Sequence, residues 1–525
     1  MEDKRMVGGR KWILRLAPVS ALVLFFGCGT SIAYTPPTID ENPFIKAKYT
    51  DIGRPSFEDS KKFLPRPVLD GNPEWLEMYW YCWKLAFTHI KKPRPSSGLV
   101  SNFLDEAFNR HIFQWDTIFM LLFARYGHAA FPFIDSLDNF YCKQHPNGYI
   151  CREILEKNGR DFYKSWEDDR AVNPPLFSWA EAENFKLTGD KERLAKVMPA
   201  LEKYVAWLEV GRKKKGTKHN LYWNSNLGSG MDNSPRSGSG WVDMSSQMVI
   251  QYDNLAYMAK VLGLEEKEKY FKERAQEISE LINKWMWNEE DGLYYDVDDD
   301  GTQVKRKTIA CFWPLLAGAA PPERAAKLKA NLHDPKTFWR KIVFPTLSAD
   351  DPKYKPKGGY WHGAVWAPTN MAVIKGLDKC GFHDFAHESA ERYLAGMSEV
   401  FKKTGTVWEN YAPDSYSQGK PAKPNFVGWT GCGPISLLIE DIIGISCDAC
   451  GKKVVWRVNR ADRHGVANLK FGGITASFLA GARKDAKSPV ELKVDSDASF
   501  TLIIVANGAE KRFDVKKGSN IFKVD

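Results

Sequence analysis

Residues 245–263 read SSQMVIQYDNLAYMAKVLG, and residues 264–287 follow at once as LEEKEKYFKERAQEISELINKWMW. Both segments carry helical periodicity, but their characters differ. The first is rich in Met, Tyr and Ala around most of its circumference; the second alternates Glu and Lys on an evident wet face. A helix that is apolar nearly all round has to be covered on every side, whereas a one-faced helix suits an outer layer. The same pairing recurs at 177–189 (FSWAEAENFKLTG) with 190–213 (DKERLAKVMPALEKYVAWLEVGRK), and at 367–381 (APTNMAVIKGLDKCG) with 383–405 (HDFAHESAERYLAGMSEVFKKTG). Inner and outer helices repeated around an axis predict an (α/α)6 toroid over residues 73–446. A linear solenoid of helix pairs would show a fixed repeat length and a consensus. Here the lengths vary, and the loops entering the inner helices are long and chemically rich.

Outside that range the texture changes. Residues 450–525 break into short alternating segments such as KVVWRVN, PVELKVD and SFTLIIVANG, separated by Gly, Asn and Asp, which predict a small antiparallel β-sandwich with nothing resembling a catalytic centre. Residues 29–72, rich in Pro and polar residues and without a sustained period, read as a tether and N-terminal extension. Before them, Lys4, Arg5, Arg10, Lys11 and Arg15 precede LAPVSALVLFFGC, a run too short for a spanning helix and patterned as an export signal. Its end resembles the lipobox of bacterial lipoproteins, which makes residues 1–28 a signal peptide and Cys28 the lipidated first residue of the mature chain. Phe25 stands where that motif prefers Leu, so ordinary signal cleavage nearby stays open. The expected place is the periplasm or cell surface of a bacterium, with a membrane contact through the lipid.

The net charge of +9 is spread among 65 acidic residues without long basic runs, so no nucleic-acid partner is expected. Eight cysteines remain besides Cys28; the lone CDAC at 447–450 has no second pair and reads as a local disulfide or as plain thiols rather than a zinc site. No cofactor or metal is expected. Oligomeric state is not legible.

Five stretches at the starts of inner helices combine carboxylates with aromatic rings: HIFQWDTIFM (111–120), NPPLFSWAEAE (173–183), GSGMDNSPR (228–236), GGYWHGAVWAPTN (358–370) and GTVWENYAPDS (405–415). In a toroid these positions converge on one pit. Glycosidic cleavage needs one protonated carboxyl to protonate the leaving oxygen and one ionised carboxylate to activate water or attack carbon. Asp232 and Glu409 are the pair selected, with Asp116 suited to binding sugar hydroxyls. In inverting enzymes the two carboxyl groups stand roughly 6.5–9.5 Å apart.

In order and spacing, these stretches resemble the inverting (α/α)6 glycosidases of glycoside hydrolase family 63, which includes processing α-glucosidases and mannosylglycerate hydrolases, and the related trehalases. The resemblance implies that Trp115 and Asp116 hold terminal-sugar hydroxyls, that Asn173 belongs to a QPP-type element, and that Asp232 is the general acid with Arg236 just after it. It implies further that Trp361, His362 and Trp366 line the sugar pocket, that Glu409 is the general base beside Tyr411, and that Trp429 belongs to the F-x-G-W-[ST] segment. Asn173 and His362 depart from the commoner Gln and Arg. The implied activity is exo-acting, inverting hydrolysis of terminal α-glucosidic or α-mannosidic bonds.

Plainer roles stand beside these. Asp232 also suits a helix cap, Glu409 a surface acid after a helix end, Asp116 an ordinary helix-start acid, Trp361 and Trp366 core filling, and His362 a hydrogen-bonded pocket wall. Two rival classes are a sugar-binding lipoprotein without turnover and an (α/α)6 sugar epimerase, which would use paired histidines.

Overall fold

The structure, a computed structural model, describes residues 34–106, 110–162 and 172–524; Cys28 and the expected signal peptide lie outside them. The inner and outer helices differ in burial as their sequences do. Val242–Leu262 buries residues on all sides, Met244, Met248, Tyr252, Leu255 and Met258 among them. Its partner Glu265–Trp285 buries only Phe271, Arg274, Ala275, Ile278 and Ile282, a spacing of three and four that forms one stripe. Full burial of Ile278 and Ile282 contributes about 1.5–3 kcal/mol each. Gly263 joins the two helices at φ 72°, a left-handed cap that costs any residue with a Cβ.

Among the described residues, twelve helical segments build the ring, in chain order: α1 (Pro73–Thr88), α2 (Gln114–Ala124), α3 (Asp138–Tyr141), α4 (Phe177–Thr188), α5 (Lys191–Gly211), α6 (Val242–Leu262), α7 (Glu265–Trp285), α8 (Trp313–Ala317), α9 (Pro322–Leu332), α10 (Ala367–Lys379), α11 (His383–Thr404) and α12 (Gly433–Ile442, a π-helix). The inner ring runs α2, α4, α6, α8, α10, α12, each touching the next, and α12 returns to α2. That closure makes the molecule the expected (α/α)6 toroid rather than an open solenoid.

The C-terminal strands form two sheets. Writing β1 (Arg66–Leu69), β2 (Ile445–Asp448), β3 (Lys453–Arg457), β4 (His464–Phe471), β5 (Ile474–Ala480), β6 (Val490–Ser496), β7 (Phe500–Ala506), β8 (Ala509–Val515) and β9 (Gly518–Val524), the orders are β1-β4-β5-β6-β9 and β2-β3-β7-β8. All neighbours are antiparallel except β3 with β7. Phe500 meets Phe471 at 5.3 Å and Phe478 at 5.9 Å, so rings from both sheets fill the space between them. Ala449 N–H and Gly472 N–H donate to the carbonyls of Lys186 and Leu187 at the end of α4, and the described residues from Pro36 onward form one compact unit. The eight described cysteines are free thiols.

Residues 34–72 depart from the expected tether. Phe44 is fully buried, Asn42 Nδ2 donates to Tyr141 O at 3.0 Å and to Gln144 Oε1 at 2.9 Å, and β1 pairs with β4 from Arg66–Ala467 to Leu69–His464. Short 3-10 turns and a four-residue edge strand leave no period to read, and an edge is where Pro67 is tolerated in a strand.

Candidate active site

The loops that precede the inner helices interlock into one floor. Asn173 Oδ1 accepts from Trp115 N–H at the start of α2, and its Nδ2 donates to Gly228 O in the loop bearing Asp232, both at 3.4 Å. Gly230 lies against the Trp115 indole: a Cβ there would stand 3.0 Å from the ring, and φ is 74°. Gly230 therefore lets the loop lie flat on Trp115. Across the pit, Asn233 Nδ2 donates to Gly359 O at 3.3 Å and Trp361 N–H donates to Asn233 Oδ1 at 2.8 Å. Val365 and Tyr411 exchange backbone hydrogen bonds of 2.9 and 3.0 Å, which ties in the loop of Glu409.

This framework brings three acids to one space. Asp116 is buried in the first turn of α2; burial pushes its pKa well above the usual carboxylate range, and the charges of Glu409, Asp105 and Asp232 add to that. Glu409 is 6% exposed, and its pKa is raised to about 7, chiefly by burial, with backbone N–H donation and charge from Lys423 opposing and Asp232 reinforcing. Lys423 N–H donates to Glu409 Oε2 at 3.1 Å, Glu409 N–H to Lys423 O at 2.9 Å, and Trp429 Nε1–H to Glu409 O at 2.8 Å. Asp232 is half-buried and accepts a hydrogen bond from Tyr360 Oη at 3.4 Å. It caps no helix, since α6 begins with Trp241 at its cap position, and Glu409 is no surface acid.

Several residues expected to touch sugar are occupied otherwise. Arg236 Nε donates to Asp296 Oδ2 at 2.9 Å, Nη1 to Asp243 Oδ2 at 2.6 Å, and Nη2 to both carboxylates at 2.8 Å, while its guanidinium lies 4.4 Å from the Trp241 ring centroid. It anchors the end of the Asp232 loop to α6 and does not face the pit. Trp361 and Trp366 are fully buried and stack on each other at 4.1 Å and 6°, so the ring faces wanted for sugar are closed by each other. Tyr411 is buried and accepts from Trp408 N–H at 3.2 Å, bracing the Glu409 turn. Asn173 and Trp429 likewise spend their polar atoms on the frame. Trp115 keeps a buried indole N–H without a hydrogen-bond partner among the described residues. His362 is half-buried, and burial, then Lys353 and Lys355, lower its pKa, which favours the neutral imidazole.

Residues not singled out from sequence also belong here. Tyr360 is one; its pKa is raised by burial and then by Asp232, Glu409 and Asp116, which puts the phenol among all three acids. Asp105 and Glu106 are two more. Glu106 is fully buried, with its pKa raised by burial, then by Asp105 and Asp116, and Asp105 pairs with Lys91 at 2.6 Å. The DE dipeptide in an aperiodic loop before HIFQWD was the available signal.

A cavity of about 470 Å³ lies at the other end of the ring, lined by Arg125, Glu183, Lys375 and Glu440. Those charges neutralise one another, Arg125 bridging Glu183 and Glu440 at 2.5 and 2.7 Å and Lys375 meeting Glu440 at 2.9 Å. The chemistry-bearing acids are at the opposite end.

Comparison with known proteins identifies the family and the fold. Residues 109–430, which hold all five loops, match the family model described as mannosylglycerate hydrolase MGH1-like glycoside hydrolase domain. A Borreliella burgdorferi protein described as uncharacterized is 27% identical over 422 residues, 78% of this chain and 87% of its own. Periplasmic trehalase of Salmonella choleraesuis is 21% identical over 476 residues, 77% of this chain and 79% of its own. The solved GH63 mannosylglycerate hydrolase of Thermus thermophilus in complex with glucose shares the fold, with a TM-score of 0.53 and 19% identity, covering 68% of this chain and 98% of that one. The chain belongs to the mannosylglycerate hydrolase MGH1-like family and is a glycoside hydrolase of the GH63 and trehalase-like kind.

Proposed function

We propose that the protein is an exo-acting, inverting α-glycosidase that removes a terminal α-glucosyl or α-mannosyl unit from an oligosaccharide or small glycoside. The carrying observation is the unequal trio of acids close enough to feel one another's charge: a half-buried Asp232 with buried Glu409 and Asp116. Asp232, within reach of arriving substrate, donates its proton to the glycosidic oxygen. Glu409 takes a proton from the water that attacks the anomeric carbon from the other face, and Asp116 with Trp115 Nε1–H binds ring hydroxyls. With a pKa near 7, Glu409 is poised to accept a proton at neutral pH.

That same raised value favours one second reading, with the roles exchanged, because a carboxyl held protonated by burial is how glycosidases commonly prepare their acid. Relatives named as trehalase and mannosylglycerate hydrolase support small α-linked glycosides as substrates. The basic-then-apolar N-terminus, together with a relative named as periplasmic, supports export with a lipid anchor at Cys28.

A panel of α-linked disaccharides and aryl α-glycosides tests the reading. Release of reducing sugar from at least one α-glucoside or α-mannoside, with β-linked counterparts untouched, is expected. Turnover confined to β-linked substrates would refute it.

A further inference from the structure

We propose that Tyr360 is the positioning residue of the general acid, its phenol donating to Oδ2 of Asp232 and so setting how that carboxyl presents its proton to the glycosidic oxygen. This rests on reading Asp232 as the acid. The contact, Tyr360 Oη to Asp232 Oδ2 at 3.4 Å, is long for a hydroxyl donor, as catalytic hydrogen bonds are before substrate draws them in.

The backbone shows how the phenol is aimed. Tyr360 has φ 62°, and a bulky side chain in the left-handed region is a genuine outlier that persists only where its surroundings over-determine it. They do so here. Tyr360 O accepts from Trp366 Nε1–H at 3.3 Å and from Ala364 N–H at 3.2 Å. The next residue, Trp361, is tied through its N–H to Asn233, the neighbour of the acid itself. The Tyr360 ring stands edge-on to Trp366 at 5.0 Å and 82°, and Trp366 is backed by the stacked Trp361. The two tryptophans thus act on the acid through Tyr360.

In the chemical step the Asp232 O–H bond breaks and a new O–H bond forms on the glycosidic oxygen, the bond from that oxygen to the anomeric carbon breaks as the water oxygen bonds to that carbon, and Glu409 takes the proton the water gives up. Negative charge grows on the Asp232 carboxylate. Tyr360 keeps its own proton, which burial first and then the nearby carboxylates hold in place, and its O–H···O bond to Oδ2 strengthens as that charge develops. Donation to the ionised form also lowers the proton affinity of Asp232.

The test is Tyr360→Phe, assayed on aryl α-glycosides from phenyl to 2,4-dinitrophenyl. Expected is a loss of about 10-fold in kcat for the phenyl glycoside. The dinitrophenyl glycoside, whose leaving group needs no proton, should stay within about two-fold, and the basic limb of kcat/KM should move to higher pH. A phenol that only packs would slow both substrates alike and leave the limb in place; that result, or an unchanged phenyl rate, overturns the proposal. Asn233→Ala, which unties the two loops, should reproduce the leaving-group-dependent loss and keeps the test decisive if Tyr360→Phe folds poorly. Absence of leaving-group dependence in Asp232→Asn would overturn the underlying acid assignment instead; dependence there without it in Tyr360→Phe defeats this proposal alone.

Discussion

Asp232→Asn should cut hydrolysis of unactivated α-glycosides by about 10²–10⁴-fold, the range that a positioned general acid supplies, while leaving 2,4-dinitrophenyl glycosides within about ten-fold of the parent enzyme. The physical reason is local. Departure of an alkoxide needs a proton in the transition state, whereas an acidic phenol leaves unaided. Asp232 is half-buried, and Asn173, Asn233 and Arg236 hold its loop through contacts at the loop's neighbouring positions. An Asn keeps the side chain's shape, so a loss confined to the unactivated glycosides reports proton donation. Steady-state kinetics on the two leaving-group classes check it. Equal losses on both would remove Asp232 from the acid's role, and a leaving-group-selective loss in Glu409→Gln instead would establish the exchanged assignment.

Glu409→Gln is expected to abolish turnover by about 10³-fold or more whatever the leaving group, since without a base the water is a poor nucleophile in every case. It should also stabilise the protein above neutral pH. The carboxyl's pKa rises from an ordinary 4.5 to about 7 in the fold, so the folded state prefers the protonated form. The cost of ionising it in place begins as pH climbs through the unfolded value near 4.5 and is complete above about 7. Removing that cost is worth about 3 kcal/mol at pH 8 and almost nothing at pH 4. Thermal melts at the two pH values should show a higher Tm for Glu409→Gln at pH 8 only; a lower Tm at pH 8 would contradict the burial account. The wild-type acid limb follows the same group, with activity falling as pH drops below about 7.

The ring was legible because helix pairs advertise their layer: Met244 to Met258 on all sides of α6, and one stripe from Phe271 to Ile282 on α7. The acid-bearing loops were legible because Asp232 and Glu409 interrupt such helices with glycine and aromatic residues. What stayed hidden depends on partners distant in sequence. Arg236 reads as a substrate ligand until Asp243 and Asp296 are seen on either side of it. Trp361 and Trp366 read as sugar platforms until one covers the other. Tyr360 gave no signal because its importance lies in a backbone angle, which composition does not record. Residues 34–72 misled for the opposite reason, since packed but irregular chain has no period.

The most direct test of the account is to follow the first-formed sugar by proton NMR during rapid hydrolysis of an α-glycoside. Water activated by Glu409 on the face opposite the departing oxygen predicts that the β-anomer is released first and mutarotates later. Initial release of the α-anomer would mean a double displacement and would contradict the arrangement of acid and base assigned to these two carboxylates.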